Sequence, residues 1–370
     1  MLSLRDTINE LMNVPEEQCD LEWLKKSLKA AIKLEFSTLP PYLCALWSID
    51  SRTPEQKAKN ELARASGPVA NAIRDQISFE EMVHMGLACN LLVSLGEPPS
   101  LNSPDGLPTY PDRLPGNVNP SLIISLQGLS KESLLDFLKI EQPQFDPLIS
   151  QEFTFGLTEF QENDNSFPTI GDFYDYVLST FKRLNPTLQT DKQIDLVDFF
   201  TKENIPKDTF KSTILGNLQD VESAIQIIKK QGEGSRISPA DDGEKLKDLA
   251  HYYRFAEIYK GKKLILELKF GDEDIAFPDV FPMSKVPPGG YQKDQVPKHV
   301  AELLDKFDRN FTDMMNELQK AWTEDKTALG TAVGIMFSLG ETAQQLMNIP
   351  ILADGSTGNF GPCFRYLGST

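Results

Sequence analysis

Glu81-Met82-Val83-His84 and Asp248-Leu249-Ala250-His251 are the stretches whose reading decides the fold. Each sets an acid three residues before a histidine, so on a helix both side chains leave one face. Around the first, Ile73 and Ile77 precede while Ala88, Leu91 and Leu95 follow at helical spacing. The acid and the histidine therefore interrupt what would otherwise be a continuous buried stripe. An ionised carboxylate in such a place is costly unless a partner waits for it. The second stretch continues to Phe255 and Ile258, and Glu35 sits in a similar place, four residues after Ala31 and three after Ile32. With 54 acids in 370 residues, chance sets an acid three positions before a given histidine about 15% of the time. The apolar flanks, more than the repeat, give the pattern its weight.

Working outward, the chain reads as mostly α. A first helix spans Asp20 to about Asp50, where Pro40 and Pro41 deprive the carbonyls of Phe36 and Ser37 of their partners and predict a kink. A second runs from Gly67-Pro68 to Leu95, with Gly96 as its cap. The Pro-, Gly-, Asn- and Ser-rich stretch to about Asn119 reads as loop, followed by helical pieces near Glu132–Leu138 and Ile170–Phe181. A third long helix is expected over Thr209–Gln231, and a fourth from the Ser238-Pro239-Ala240-Asp241 cap to about Lys262. Leu264–Phe270 reads as a short strand. A helical hairpin, Val296–Thr323 and Thr327–Met347, closes the chain. The expected organisation is a four-helix bundle over 1–270 with a crossover insertion at about 96–184, a Pro/Gly-rich linker over 271–295, and a hairpin and tail over 296–370 packed on the bundle.

Two acid-x-x-His motifs plus one acid from each remaining helix make the donor set of dimetal carboxylate bundles. Oxygen-rich ligation with one imidazole per metal suits iron or manganese better than a structural zinc. For the third helix the residues leave two candidates. Glu222 lies between Leu218 and Ile225 at the depth of Asp248 and His251, whereas Glu233 stands in a Gly-Glu-Gly turn. Spacing favours Glu222. A haem with His84 or His251 as axial ligand ranks behind the dimetal reading. His299 follows Pro297 in a first helical turn and is expected to face solvent.

Composition narrows the function classes. A net charge of −17 repels phosphate backbones and anionic lipid, which argues against nucleic-acid and membrane partners. No apolar run approaches the ~20 residues that span a bilayer. The N-terminal stretch Leu2–Val14 has no signal-peptide core, and Cys19, Cys44, Cys89 and Cys363 are scattered. These features fit reduced thiols in a cytoplasmic protein, with a small molecule as partner and an oligomer possible.

Leu34-Glu35-Phe36-Ser37-Thr38-Leu39-Pro40-Pro41-Tyr42-Leu43 resembles the opening signature of the ferritin-like family that includes the violacein-pathway iminophenylpyruvate dimer synthase. Glu80-Glu81-Met82-Val83-His84-Met85, Gln231-Gly232-Glu233-Gly234 and Asp248 through Ile258 resemble three further signatures. Weaker echoes stand at Thr169–Tyr174 and Gly361–Tyr366. The resemblance spans about residues 21–366 and implies Glu35, Glu81, His84 and His251 as ligands of two metal ions. It sets Glu233 slightly ahead of Glu222. Asp248 stands where the family pattern implies Glu, one methylene longer, and Lys230 where an acid is commoner. The resemblance further implies an O2- or peroxide-dependent oxidation of imines derived from aromatic amino acids, in a chain matching only the ferritin-like part of a longer enzyme. Arg254 is then expected to pair with a substrate carboxylate, or internally with Glu257, and Tyr252 to stand near the reacting groups.

Overall fold

Asp20 starts the longest helix, its carboxylate accepting the Trp23 N–H at 2.8 Å. A computed structural model describes residues 7–115, 121–142, 169–198, 212–232, 249–265, 269–352 and 357–368. In chain order the helices are α1 (Thr7–Met12), α2 (Leu21–Trp47), α3 (Pro54–Lys59), α4 (Pro68–Asn71), α5 (Phe79–Ser94), α6 (Lys131–Ile140), α7 (Ile170–Leu184), α8 (Leu218–Gly232), α9 (His251–Lys260), α10 (Lys298–Thr323) and α11 (Ala328–Met347). Two small antiparallel ribbons accompany them: β1 (Asp112–Arg113) with β2 (Ile123–Ile124), and β3 (Lys262–Ile265) with β4 (Lys269–Asp274). The mostly α expectation holds, but Leu264–Phe270 is not one strand: Leu264 lies in β3 and pairs antiparallel with Phe270 of β4.

α2 and α5 pack along one another and organise the rest. α7 lies against α2, α8 against α5 and α7, and α6 against α9. On the other side the α10–α11 hairpin packs on itself, with α11 against α2. Phe36 of α2 stacks on Phe311 of α10, and Trp47 meets Phe307 edge-on. Hairpin and bundle thus share one continuous apolar core. The Pro/Gly-rich stretch before the hairpin is bonded along its length. Asp50 N–H donates to Asp279 O, Phe281 N–H to Ser48 O, and Val286 N–H to Leu126 O. Near the C-terminus Arg365 pairs at 2.7 Å with the fully buried Asp308. This pair anchors the tail on α10.

Four expectations change. First, α2 runs unbroken through Pro40 and Pro41. The Ser37 carbonyl, which loses its N–H partner to Pro41, accepts the Tyr110 hydroxyl at 2.7 Å instead. Second, the second long helix passes from α4 through a π-helical stretch over Ala72–Ser78 before α5 begins. Such wide turns recur at functional sites, and this one ends two residues before Glu80. Third, the third long helix begins only at Leu218, with Asn217 capping it through bonds to the Gln219 and Asp220 N–H groups. The residues just before it bond elsewhere: Leu215 N–H donates to Gln193 Oε1, and Leu196 N–H to Thr213 Oγ1. Fourth, α9 begins at His251, because Ala250 is extended with ψ 156°. No helical turn therefore runs through Leu249 and Ala250 into His251. Asp248 itself, like Glu233 and the Ser238 cap, lies outside the described residues.

Candidate metal centre

The site forms where α2, α5, the C-terminal end of α6 and the first turn of α9 meet. Glu35 comes from the middle of α2, Glu81 and His84 from the first turns of α5, and His251 from the start of α9. Glu141 is the residue that ends α6. All five are buried. Donor atoms of Glu35, Glu81 and His84 lie within 4.8 Å of one another, and so do those of Glu81, Glu141 and His251. Glu81 belongs to both groups, so its carboxylate stands between two adjoining positions, each with its own acid and histidine.

The histidines present equivalent atoms. His84 Nδ1 lies 3.5 Å from Glu81 Oε1 and 3.8 Å from Glu35 Oε2. His251 Nδ1 lies 2.8 Å from Glu81 Oε1 and 3.8 Å from Glu141 Oε1. The ring centroids are 5.5 Å apart. Each far nitrogen is held from behind: His84 Nε2 donates to Gln231 Oε1 at 2.8 Å, and His251 Nε2 to Glu80 Oε2 at 3.0 Å. The carboxylates are likewise fixed. The Tyr174 hydroxyl donates to Glu35 at 2.6 Å, Tyr42 to Glu141 at 2.5 Å, and Thr38 to Glu81 at 2.8 Å.

Charge in this enclosure is strongly perturbed. Burial, reinforced by the Glu81 charge, pushes Glu35 up to about 8, and burial raises Glu141 as well. Burial also works upward on Glu81, but hydrogen bonds and charge from His251 and His84 outweigh it and hold the carboxyl below its usual range. For the imidazoles burial opposes the charged form. The Glu81 bond overcomes it at His84, and bonds to Glu141, Glu80 and Glu81 overcome it at His251, so both titrate above their ordinary value. Without a metal, protons must supply the positive charge that the acids demand. The donor set fits two divalent cations that favour oxygen and imidazole.

The sequence-predicted residues divide clearly. Glu35, Glu81, His84 and His251 come together. Glu222 does not: it is half-exposed and paired with Lys182 at 2.8 Å. The buried stripe of α8 runs through Val221, Ala224, Ile225 and Ile228, which turns Glu222 away from the bundle. α8 instead contributes Gln231 behind His84. Tyr252 and Arg254 are buried one turn or less beyond His251, and the Glu257 carboxylate accepts from Lys263 and from Leu264 N–H. Glu141 is the site acid that the sequence reading missed. Its signal was the step Leu134, Phe137, Leu138, Glu141, an apolar helical stripe ending in an acid.

Between the ligand groups the free space is about 20 Å³, bounded by Glu35, Thr38, Glu81, His84, Glu141 and Lys229 among others. That accommodates an ion or roughly one water. A cleft of about 700 Å³ lies elsewhere, between Leu43, Trp47, Ser78 and Met82 on one side and Met336 and Phe337 of α11 on the other. None of the five site residues lines it.

A helical scaffold with buried acids and histidines converging from neighbouring elements defines the carboxylate-bundle class of proteins. The chain belongs to the ferritin-like family, whose model matches residues 28–260. It is similar in fold to a ferritin-like protein from Caulobacter vibrioides, with a TM-score of 0.55 at 19% identity, over 93% of this chain and 97% of that one. No curated protein matches the chain. No described helix is long and apolar enough to cross a membrane.

Proposed function

We propose that the protein is a non-haem dimetal carboxylate oxidoreductase, holding two iron or manganese ions and using dioxygen or a peroxide to oxidise or couple a small molecule. The observation that carries this reading is the pair of buried donor groups sharing Glu81. Glu35 and His84 would hold one ion, Glu141 and His251 the other, and Glu81 would bridge them. When bound, such ions supply the electrons and open coordination positions that oxidant reduction requires. The chain's own part is to keep the carboxylates oriented through Tyr174, Tyr42 and Thr38, and to exclude bulk water from the enclosure.

The motifs that resemble those of the iminophenylpyruvate dimer synthase family suggest an imine derived from an aromatic amino acid as substrate. In this reading Arg254 pairs with the substrate carboxylate, and Tyr252 stands beside it. A metal-holding protein without turnover is the competing reading, favoured by the small free space at the site. Elemental mass spectrometry of protein produced with iron and manganese available is the first test. About two ions per chain, with substrate-dependent oxygen or peroxide consumption, supports the oxidoreductase. Two ions without consumption of either supports the competing reading, and substoichiometric metal lost to mild chelation overturns both.

A further inference from the structure

Among the described residues, the two positions at the candidate centre are matched nearly residue for residue. Each has one terminal glutamate, Glu35 or Glu141, and each terminal glutamate accepts one buried tyrosine hydroxyl, from Tyr174 or Tyr42. Each has one histidine turning Nδ1 inward, and both share Glu81. The match ends behind the rings. His84 is backed by the neutral amide of Gln231, and His251 by the carboxylate of Glu80.

That difference is chemically directed. A hydrogen bond from imidazole N–H to a carboxylate is charge-assisted and stronger than one to an amide. It draws the proton away from the ring and makes the opposite nitrogen a better donor to a metal. Among the described residues, Glu80 also brings a further negative charge to the His251 position, two residues after the π-helical turns end. The Glu81 oxygen lies nearer His251 than His84, 2.8 against 3.5 Å, which agrees in sense.

We infer that the two metal positions are unequal and fill in order, the Glu81–Glu141–His251 position first, with Glu80 and Gln231 as the positioning residues that set the order. This inference rests on the dimetal reading and deepens it. The protein then passes through a singly loaded form, and an ion at the Glu35–His84 position is the exchangeable one.

The test is an anaerobic titration of metal-free full-length protein with Mn(II) alone, followed by calorimetry and by manganese electron paramagnetic resonance. Two binding steps separated by at least tenfold in affinity are expected. Glu35→Gln should weaken the second step and Glu141→Gln the first, which assigns them. Glu80→Gln, with helix content checked by circular dichroism, should weaken the first step by 10- to 100-fold and bring the two together. Gln231→Glu should tighten the second step. Two indistinguishable steps in the unaltered protein, or a separation unchanged in Glu80→Gln, would overturn the ordering while leaving the dimetal reading intact. Absence of any Mn(II) binding would overturn the dimetal reading itself and the ordering with it.

Discussion

The two faces of the α2–α5 pair show contrasting ways of burying a helix. One face presents Glu35, Glu81 and His84 to Glu141 at the end of α6 and His251 of α9. The other presents Phe36, Leu39, Met82 and Met85 to the α10–α11 hairpin. The hairpin face is stabilised by removing apolar surface from water and needs nothing further. The charged face is enclosed as completely, yet its acids are stable there only with protons or cations beside them. The same helices thus provide a self-sufficient apolar support on one side and, on the other, a charged centre that could hold metal.

The widest separation between the faces should come from removing the shared acid. Glu81→Ala deletes a ligand from both positions at once, and bound metal should fall from about two ions per chain to well below one. Elemental analysis at fixed free metal checks this; retention of two ions would mean that Glu81 does not bridge. Phe311→Ala, on the hairpin face, should cost about 3–5 kcal/mol in denaturant unfolding while leaving metal stoichiometry unchanged. A loss of metal in this variant would show that the two faces are coupled.

pH sharpens the contrast further. Glu35 is raised to about 8 by burial and by Glu81, so its folded form holds a proton that the unfolded chain releases at lower pH. Its contribution to the stability of the metal-free protein is fully present below the unfolded value and is lost as pH rises through about 8. Metal replaces that proton, so apparent affinity should climb with pH over the same window, with proton release on binding. Titration calorimetry in buffers of different ionisation enthalpy reads the released protons. A flat affinity from pH 6 to 8.5 would contradict the buried, protonated Glu35.

Smaller effects test the two local corrections. Tyr110→Phe removes the donor to the Ser37 carbonyl, whose helical N–H partner Pro41 lacks, and should cost about 1–3 kcal/mol. Thermal unfolding measures it, and no change would mean that water satisfies that carbonyl equally well. Glu222→Ala should change stability by less than about 1 kcal/mol and metal content not at all. Lost metal there would restore Glu222 as a ligand.

Much of the centre was legible because helical periodicity makes a buried acid conspicuous. Glu35, Glu81 and His84 stand within apolar stripes of long helices, and His251 leads into Phe255 and Ile258. Glu222 shows where that logic fails. Its neighbours Leu218 and Ile225 suggested a stripe, but α8 buries Val221, Ala224, Ile225 and Ile228, a phase that packing against α5 and α7 selects. Glu141 was hidden for the opposite reason: it ends a ten-residue helix inside the stretch read as a crossover, where local sequence carries little sign of proximity to α2. The π-helical turns before α5 have no sequence signature of their own.

The sequence by itself determined the helical class and the two histidines, with Glu35 and Glu81, because periodicity along one helix is a local property. Only the tertiary structure decided that Glu141 joins the set, that Glu222 turns away from the bundle, and that Glu80 and Gln231 stand behind different rings. Those are relations between elements remote in the chain, set by which helix faces pack together, and no spacing within a single element encodes them.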